Sequence, residues 1–177
     1  PHDDGLQTGH CDAHALTLAC PGGGMNECYT MILDRLDTAG CDLSGLTFRD
    51  SGGSNGWTVE PLPSWVLSFV ARLPIKGQIT RTVLRKLQPG IGIPPHIDPI
   101  VQSHPRLVEH RYHVPLVTHE AVTMRWPQEG VEVHLAQGCL YEVNQNQKIH
   151  EVIQAAPIDR IHLCIDTVEV LPEALCI

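Results

Sequence analysis

The chain has 177 residues, of which 42% are hydrophobic and 18% charged, a composition typical of one globular domain with a substantial core. Its formal net charge is −8, which argues against a protein that grips nucleic acid, because such proteins usually present a basic face. No apolar run approaches the roughly 18 residues of a membrane span and no signal peptide is visible, so we expect a cytoplasmic protein whose seven scattered cysteines are reduced.

The N-terminal part of the chain carries few strand signals. Residues 1–24 are rich in Gly, His and Asp and show no clear period. A helix is predicted from about Asn26 to Ala39, because Asn26 can cap it, Gly40 can end it, and an apolar stripe of helical spacing runs between them. This stripe consists of Tyr29, Ile32, Leu33 and Leu36.

A second, shorter helix is predicted after a loop at residues 50–60. Ser64 can cap this helix, and Trp65, Phe69 and Leu73 then lie near one of its faces. We therefore expect residues 1–75 to form an irregular and helical N-terminal part.

From residue 76 onward, short strand-like runs alternate with turn residues. Val, Leu and Ile dominate the runs and favour strands, and breaks such as Pro89-Gly90 separate them at the spacing of a β-sandwich or barrel. The predicted strands are Ile79–Leu87, Glu109–Val117, Ala121–Trp126, Val131–Leu135, Cys139–Val143, Ile149–Gln154 and Arg160–Val168. The expected fold is thus a single domain over residues 1–177, mainly β with N-terminal helices, whose β-core covers residues 76–170.

The pattern His-x-Asp occurs three times, and a metal site is predicted at the third occurrence. Composition alone predicts about 0.6 occurrences, so the pattern by itself is weak. The first two, at residues 2–4 and 10–12, lie in the irregular segment with no strand before them. His96-Ile97-Asp98 instead follows a strand and a Pro-Gly turn, and two side chains at i and i+2 of an extended segment can point to one side.

His150, on a later predicted strand, can complete this set. Two imidazoles and one carboxylate on one face of a metal leave positions open, as non-haem Fe(II) oxygenases need. Arg160 comes ten residues after His150, and two antiparallel strands joined by a tight turn would bring it back near His150. A guanidinium there could bind a carboxylate in bidentate fashion, for example the far carboxylate of 2-oxoglutarate.

The stretch from Leu84 to Val168 resembles the aspartyl/asparaginyl β-hydroxylase family of Fe(II)- and 2-oxoglutarate-dependent dioxygenases. The resemblance is carried by LQPGIGIPPHIDP at Leu87–Pro99, by RYHVPLV at Arg111–Val117, and by His150-Glu151-Val152 with residues 159–168. It implies a double-stranded β-helix, the cupin-like jelly roll, and a hydroxylase that uses Fe(II), 2-oxoglutarate and O2. The implied substrate is an amino acid or a peptide.

The resemblance also implies roles for individual residues. His96 and His150 would be metal ligands, Arg160 would anchor the C5 carboxylate of 2-oxoglutarate, and Arg111 and His113 would make further polar contacts to the co-substrate. Vertebrate members have Gly where this chain has Asp98, whereas bacterial members keep the carboxylate. A complete catalytic triad of His96, Asp98 and His150 is therefore expected, and it favours hydroxylation over halogenation, in which a small residue makes room for halide.

Two other functions remain open at this point. One is a different jelly-roll metalloenzyme, such as a cupin isomerase or a dioxygenase without 2-oxoglutarate, although cupins tend to combine several close His with a Glu. The other is a binding module that has lost activity, although folding alone does not require two His and an Asp to converge. Neither a partner protein nor an oligomeric state is predicted.

Some remaining polar residues have alternative interpretations. His162 and Cys164 share a strand face with Arg160 and line either the cavity or the packed core. Asp166 is expected to pair with a basic group. Zinc binding in the N-terminal segment is disfavoured because no established ligand spacing fits its candidate residues, which are His10, Cys11, His14 and Cys20.

Overall fold

Strands dominate the computed structural model, which describes residues 30–38, 40–50, 56–98, 106–143 and 148–172. Its one helix within these ranges, α1, spans Ser64–Val70. The strands are β1 (Thr30–Arg35), β2 (Arg49–Asp50), β3 (Trp57–Thr58), β4 (Gln78–Leu87), β5 (Ile93–His96), β6 (Leu107–Val117), β7 (Val122–Trp126), β8 (Val131–Val133), β9 (Cys139–Val143), β10 (His150–Gln154) and β11 (Arg160–Val170).

The strands form two antiparallel sheets that face each other. The large sheet has the order β1-β9-β6-β11-β4-β3-β2, and the small sheet has the order β5-β10-β7-β8. From β4 to β11 the chain repeatedly crosses between the sheets, with only the β7–β8 hairpin staying in one of them. This connectivity is that of a double-stranded β-helix, so the predicted jelly roll is confirmed.

The large sheet packs apolar side chains on both of its faces. Between the sheets, Val122, Met124 and Trp126 of β7 alternate inward and meet Tyr141 and other residues of the large sheet. On the outer face, Val66 and Phe69 of α1 cover the residues of β4, β6 and β11 that point the other way. Strand β11 is therefore buried continuously from Arg160 to Ile165.

The sequence-based prediction of the N-terminal part is wrong in three places. Within the predicted loop at residues 50–60, Trp57–Thr58 form β3, which pairs with β4. Residues 30–35, predicted to be helical, form β1, which pairs with the edge of β9; residues 26–29 and 39 lie outside the described ranges. A short apolar run fits the period of a helix as well as that of a strand, and here pairing with β9 makes the segment a strand. Ser64 is the first helical residue and not the cap, because Pro63 occupies the cap position and no side chain bonds there.

The seven predicted strands of the β-core are confirmed within two residues at each end. Strand β5 was not predicted because Pro94 and Pro95 lie within it. Proline has no N–H to donate, but β5 is an edge strand, where proline is tolerated.

Several sequence-based expectations concern residues that the structure does not describe, and others can be compared only with the described ranges. The first two His-x-Asp patterns and the candidate zinc residues lie in residues 1–29, which are not described. The described cysteines, Cys41, Cys139 and Cys164, form no disulfide with one another, and the last two are buried as expected. None of the described helical segments has the length and apolar character to span a membrane.

Candidate metal centre

A tight turn leads the chain from β4 into the segment that carries the predicted metal ligands His96 and Asp98. Ile91 donates its backbone N–H to the carbonyl of Gln88 at 3.0 Å, with Pro89 and Gly90 between them. Gly90 has a φ of 74°, as the third residue of a type II turn requires, and Pro89 suits the second. The Gly90 N–H also donates to the carbonyl of Gln154 at 3.0 Å, which ties the turn to the end of β10.

Gly92 then allows β5 to approach β10 closely. A Cβ atom built at this position would overlap the carbonyl oxygen of Val152, so no larger residue fits without a backbone shift. The resulting antiparallel pair sets Ile93 opposite Val152 and His96 directly opposite His150. Two of the predicted ligands are thus cross-strand neighbours in the small sheet, where opposed side chains lie close together.

The three predicted metal ligands come together in the folded chain. One ligand atom from each of His96, Asp98 and His150 lies within 4.8 Å of the other two. Nε2 of His96 is 3.6 Å from Oδ1 of Asp98, and Nε2 of His150 is 3.8 Å from Oδ2. This is a compact set of two nitrogens and a carboxylate, at a spacing that a single metal ion could bridge.

Backbone hydrogen bonds fix which imidazole nitrogen is presented. Nδ1 of His96 lies 2.8 Å from the carbonyl oxygen of Pro94, and Nδ1 of His150 lies 3.1 Å from that of Lys148. Because a carbonyl only accepts, both Nδ1 atoms carry the proton and both Nε2 atoms keep their lone pair. Burial lowers the pKa of His150, which favours the neutral form that binds metals.

Arg111 joins this set to the large sheet. Its Nε and Nη2 atoms donate to the two carboxylate oxygens of Asp166 at 2.5 and 3.0 Å, and its Nη1 donates to Oδ2 of Asp98. Arg111 and Asp166 are register partners on β6 and β11. The expected basic partner of Asp166 is therefore found, and Arg111 itself lies against two carboxylates.

Arg160 reaches the interior by a different route from the one predicted. Strands β10 and β11 do not form a hairpin, because β10 belongs to the small sheet and β11 to the large one. Arg160, His162, Cys164 and Asp166 instead alternate along one face of β11 and point toward the small sheet. The hairpin prediction was wrong, but both Arg160 and His150 are still buried between the sheets.

Two donors in this row lack partners within the described chain. Arg160 is 2% exposed and His162 is 1% exposed. Nη2 of Arg160 donates to Nδ1 of His162 at 2.9 Å, so the proton of His162 is on Nε2. Nε of Arg160 and Nε2 of His162 have no described hydrogen-bond partner, and no described carboxylate forms an ion pair with Arg160.

Burial controls the protonation of this row. It lowers the pKa of Arg160 to about 10, so the guanidinium stays charged at neutral pH. Burial, and then the nearby Arg160 charge, hold the pKa values of His113 and His162 well below the usual range, so both imidazoles are neutral. The charges of Arg111 and His150 also contribute to lowering the pKa of His113.

Sequence reasoning left His162 undecided between the cavity and the core. The alternation of polar residues along β11 was visible, but their hydrogen bonding was not. Polar side chains that alternate along a strand buried on both faces are costly in a packed core. This alternation along β11 could therefore have favoured a cavity-lining position for His162.

The fold and the site together define a jelly-roll protein with a candidate two-histidine, one-carboxylate metal centre. The family model described as aspartyl/asparaginyl beta-hydroxylase matches residues 62–169, from just before α1 nearly to the end of β11, and the chain belongs to this family. No curated protein sequence matches significantly.

Solved structures that resemble the chain include two cupins. A cupin domain from Bordetella pertussis Tohama I has a TM-score of 0.38 and 18% identity, covering 55% of this chain and 88% of its own. A sugar phosphate isomerase of a cupin superfamily from Silicibacter pomeroyi has a TM-score of 0.39 and 12% identity, covering 73% and 79%.

Proposed function

We propose that this protein is an Fe(II)- and 2-oxoglutarate-dependent dioxygenase that hydroxylates a C–H bond of an aspartyl, asparaginyl or other amino-acid side chain, in a peptide or a free amino acid. The observation that carries the proposal is the convergence of His96, Asp98 and His150 with both Nε2 atoms available as ligands. Membership of a hydroxylase family supports the same reaction class.

The donor set suits iron(II). Two neutral imidazoles and one carboxylate form the facial arrangement of non-haem iron oxygenases, which leaves coordination positions open for small ligands. Each imidazole is oriented by a backbone carbonyl, a common feature of metal-ligating histidines. The residues of this chain therefore fit the metal that the family implies.

The buried polar row suits the carboxylate of 2-oxoglutarate. A fully buried guanidinium without a described carboxylate partner is unfavourable unless an anion binds beside it. The unpartnered Nε of Arg160 and Nε2 of His162 can both donate to such an anion. His113, which is buried with its ring centroid 5.7 Å from that of His162, extends the polar row onto β6 and would contact the co-substrate there.

When bound, iron(II) would couple the oxidative decarboxylation of 2-oxoglutarate by O2, giving succinate and CO2, to insertion of one oxygen atom into a C–H bond of the substrate. The chain's own residues bind, orient and exclude water. His96, Asp98 and His150 would hold the ion, and Arg160 would hold the co-substrate. Apolar side chains of the inter-sheet core, including Met124, keep water from the interior behind the site.

The proposal is tested first without a substrate. Anaerobic Fe(II) with 2-oxoglutarate should give the weak visible charge-transfer band of an iron-bound keto acid. Metal binding without this band would favour a cupin-type enzyme that does not use 2-oxoglutarate, and absence of metal binding would favour an inactive binding module.

A substrate screen then tests the reaction. Free amino acids and short peptides containing Asp or Asn should be examined by mass spectrometry for a gain of one oxygen atom, together with succinate formation. His96→Ala and His150→Ala should abolish both signals, whereas His119→Ala, in the turn after β6, should retain them. Full turnover by either ligand variant would refute the metal assignment.

A further inference from the structure

Asp98 differs from the two histidines in how it is held. His96 and His150 lie on paired strands, but Asp98 lies two residues beyond the end of β5. The strand pairing that orients the imidazoles therefore does not extend to the carboxylate. Among the described residues, the hydrogen bond to the Asp98 carboxylate comes from Arg111, on the opposite sheet.

Arg111 is itself oriented by Asp166. It lies on β6 in the large sheet, directly opposite Asp166 on β11, and donates two hydrogen bonds to that carboxylate. Such a bidentate pair fixes the plane of the guanidinium as well as its position. The remaining Nη1 atom then points at Oδ2 of Asp98, while Oδ1 of Asp98 faces Nε2 of His96.

We propose that Arg111 and Asp166 are positioning residues for the metal-binding carboxylate. Arg111 engages Oδ2 of Asp98, which leaves Oδ1 turned toward His96, and Asp166 fixes Arg111 in the orientation that does so. The inference rests on the proposed metal site. It assigns to Arg111 a role toward a divalent cation in addition to the expected contact with the co-substrate.

The charges of the three residues support this arrangement. Two carboxylates flank one guanidinium, so these three residues together carry a net charge of −1 that favours a divalent cation, while the charge of nearby Arg81 is exposed and screened by solvent. Without Asp166, the charge of Arg111 would offset that of Asp98 completely. Asp166 thus acts on the metal both by orienting Arg111 and by restoring the negative charge.

A purely structural role for the Arg111–Asp166 pair predicts a different result. Strands β6 and β11 already pair over ten registered positions, so a pair that only joined them would affect stability and leave metal affinity unchanged. Metal affinity of the folded protein therefore separates the two interpretations.

The test is binding of Mn(II) or Co(II) to Asp166→Asn without 2-oxoglutarate, by calorimetry and by Mn(II) electron paramagnetic resonance. Mutation of a residue that hydrogen-bonds to a metal ligand typically weakens metal binding about 10- to 100-fold, and we expect the Kd of Asp166→Asn for Mn(II) to rise within that range. Arg81→Gln is the matched control, because Arg81 lies 3.9 Å from Asp166 on its exposed side; its Kd should stay within about threefold of wild type. An unchanged Kd for folded Asp166→Asn overturns the inference.

A second comparison applies if Asp166→Asn does not fold. Arg111→Lys keeps the charge but cannot engage both carboxylates in the same way, and it should also weaken Mn(II) binding and shift the visible spectrum of bound Co(II). When both single variants fold, the double variant should lose less affinity than the sum of the two single losses, because the orienting effect of Asp166 acts through Arg111; fully additive losses overturn the inference. Failure of the wild-type protein to bind any divalent metal overturns the proposed function as well, whereas unchanged variants beside a metal-binding wild type overturn this inference alone.

Discussion

Replacing Arg160 by methionine should stabilise the ligand-free protein while it abolishes co-substrate binding. Arg160 is 2% exposed and no described carboxylate compensates its charge. A buried cation without a counter-charge destabilises the folded state, and an apolar side chain of similar length removes this destabilisation. The two properties should therefore change in opposite directions.

The magnitude follows from the burial of the guanidinium. Burial lowers the pKa of Arg160 to about 10, which corresponds to a penalty of about 3 kcal/mol on the charged form. Because the pKa in the folded protein lies below that of the unfolded chain, the penalty is complete at pH values below about 10 and is relieved as the pH rises further. Loss of the hydrogen bond to Nδ1 of His162 offsets about 2 kcal/mol of the gain. The net expectation is about 1 kcal/mol of added stability, or roughly 3 °C in Tm.

The assay is thermal and urea unfolding at pH 7 of the metal-free protein, of the protein with Mn(II), and of the protein with Mn(II) and 2-oxoglutarate. Mn(II) should stabilise both wild type and Arg160→Met. Adding 2-oxoglutarate to the metal-loaded protein should stabilise wild type further and leave Arg160→Met unchanged. Arg72→Met, at an exposed arginine, serves as the matched control and should behave as wild type. A loss of 2 kcal/mol or more in ligand-free Arg160→Met would refute the reasoning, because it would mean that the guanidinium is compensated within the protein.

Further predictions concern the approach of β5 to β10 and the buried imidazoles. Gly92→Ala should weaken Mn(II) binding and lower Tm, because its Cβ would overlap the Val152 carbonyl, whereas Gly40→Ala, with open space at Cβ, should do neither. His162→Leu should raise the Kd for 2-oxoglutarate about tenfold, as expected for loss of a hydrogen bond to a charged group, and leave Mn(II) binding unchanged; an unchanged 2-oxoglutarate Kd would exclude the contact. The free energy of unfolding should fall from pH 7 to pH 5, because the pKa values of His113 and His162 are lowered in the folded protein and only the unfolded chain takes up protons there. The slope should reach about 1.4 kcal/mol per pH unit for each imidazole, and His162→Leu should reduce it, as urea titrations at several pH values can measure.

Local signals in the sequence were sufficient for the β-core. Alternating apolar residues and Pro-Gly breaks predict the strands from β4 to β11, apart from β5, because each strand there has one face toward the core. The triad was likewise predictable, since the Pro89-Gly90 turn and the extended segment after it restrict where His96 and Asp98 can point. The spacing of His150 and Arg160 on later strands had already suggested both residues, and the resemblance to a hydroxylase family implies the same two positions.

Nonlocal pairing explains what the sequence did not reveal. Residues 30–35 were predicted to be a helix because their spacing fits one, and only the neighbouring edge of β9 makes them a strand. The hairpin predicted between His150 and Arg160 failed because the short connection crosses between the sheets and does not turn within one. The pairing of Arg111 with Asp98 was hidden for a similar reason, since the two residues meet only when the sheets face each other.

The distribution of the site over the two sheets has a mechanistic consequence. The small sheet and the segment that follows β5 supply His150, His96 and Asp98, whereas the large sheet supplies Arg160 and Arg111. An ion bound by the triad and an anion bound by Arg160 would therefore be held from opposite walls of the sandwich, and a co-substrate that bridges them would join the walls. Closure of the sandwich buries Arg160 without a described counter-charge, which is unfavourable alone and becomes favourable only with an anion between the sheets. The same feature that destabilises the ligand-free fold would thus favour binding of the proposed co-substrate, because the anion would supply the counter-charge that the described residues do not.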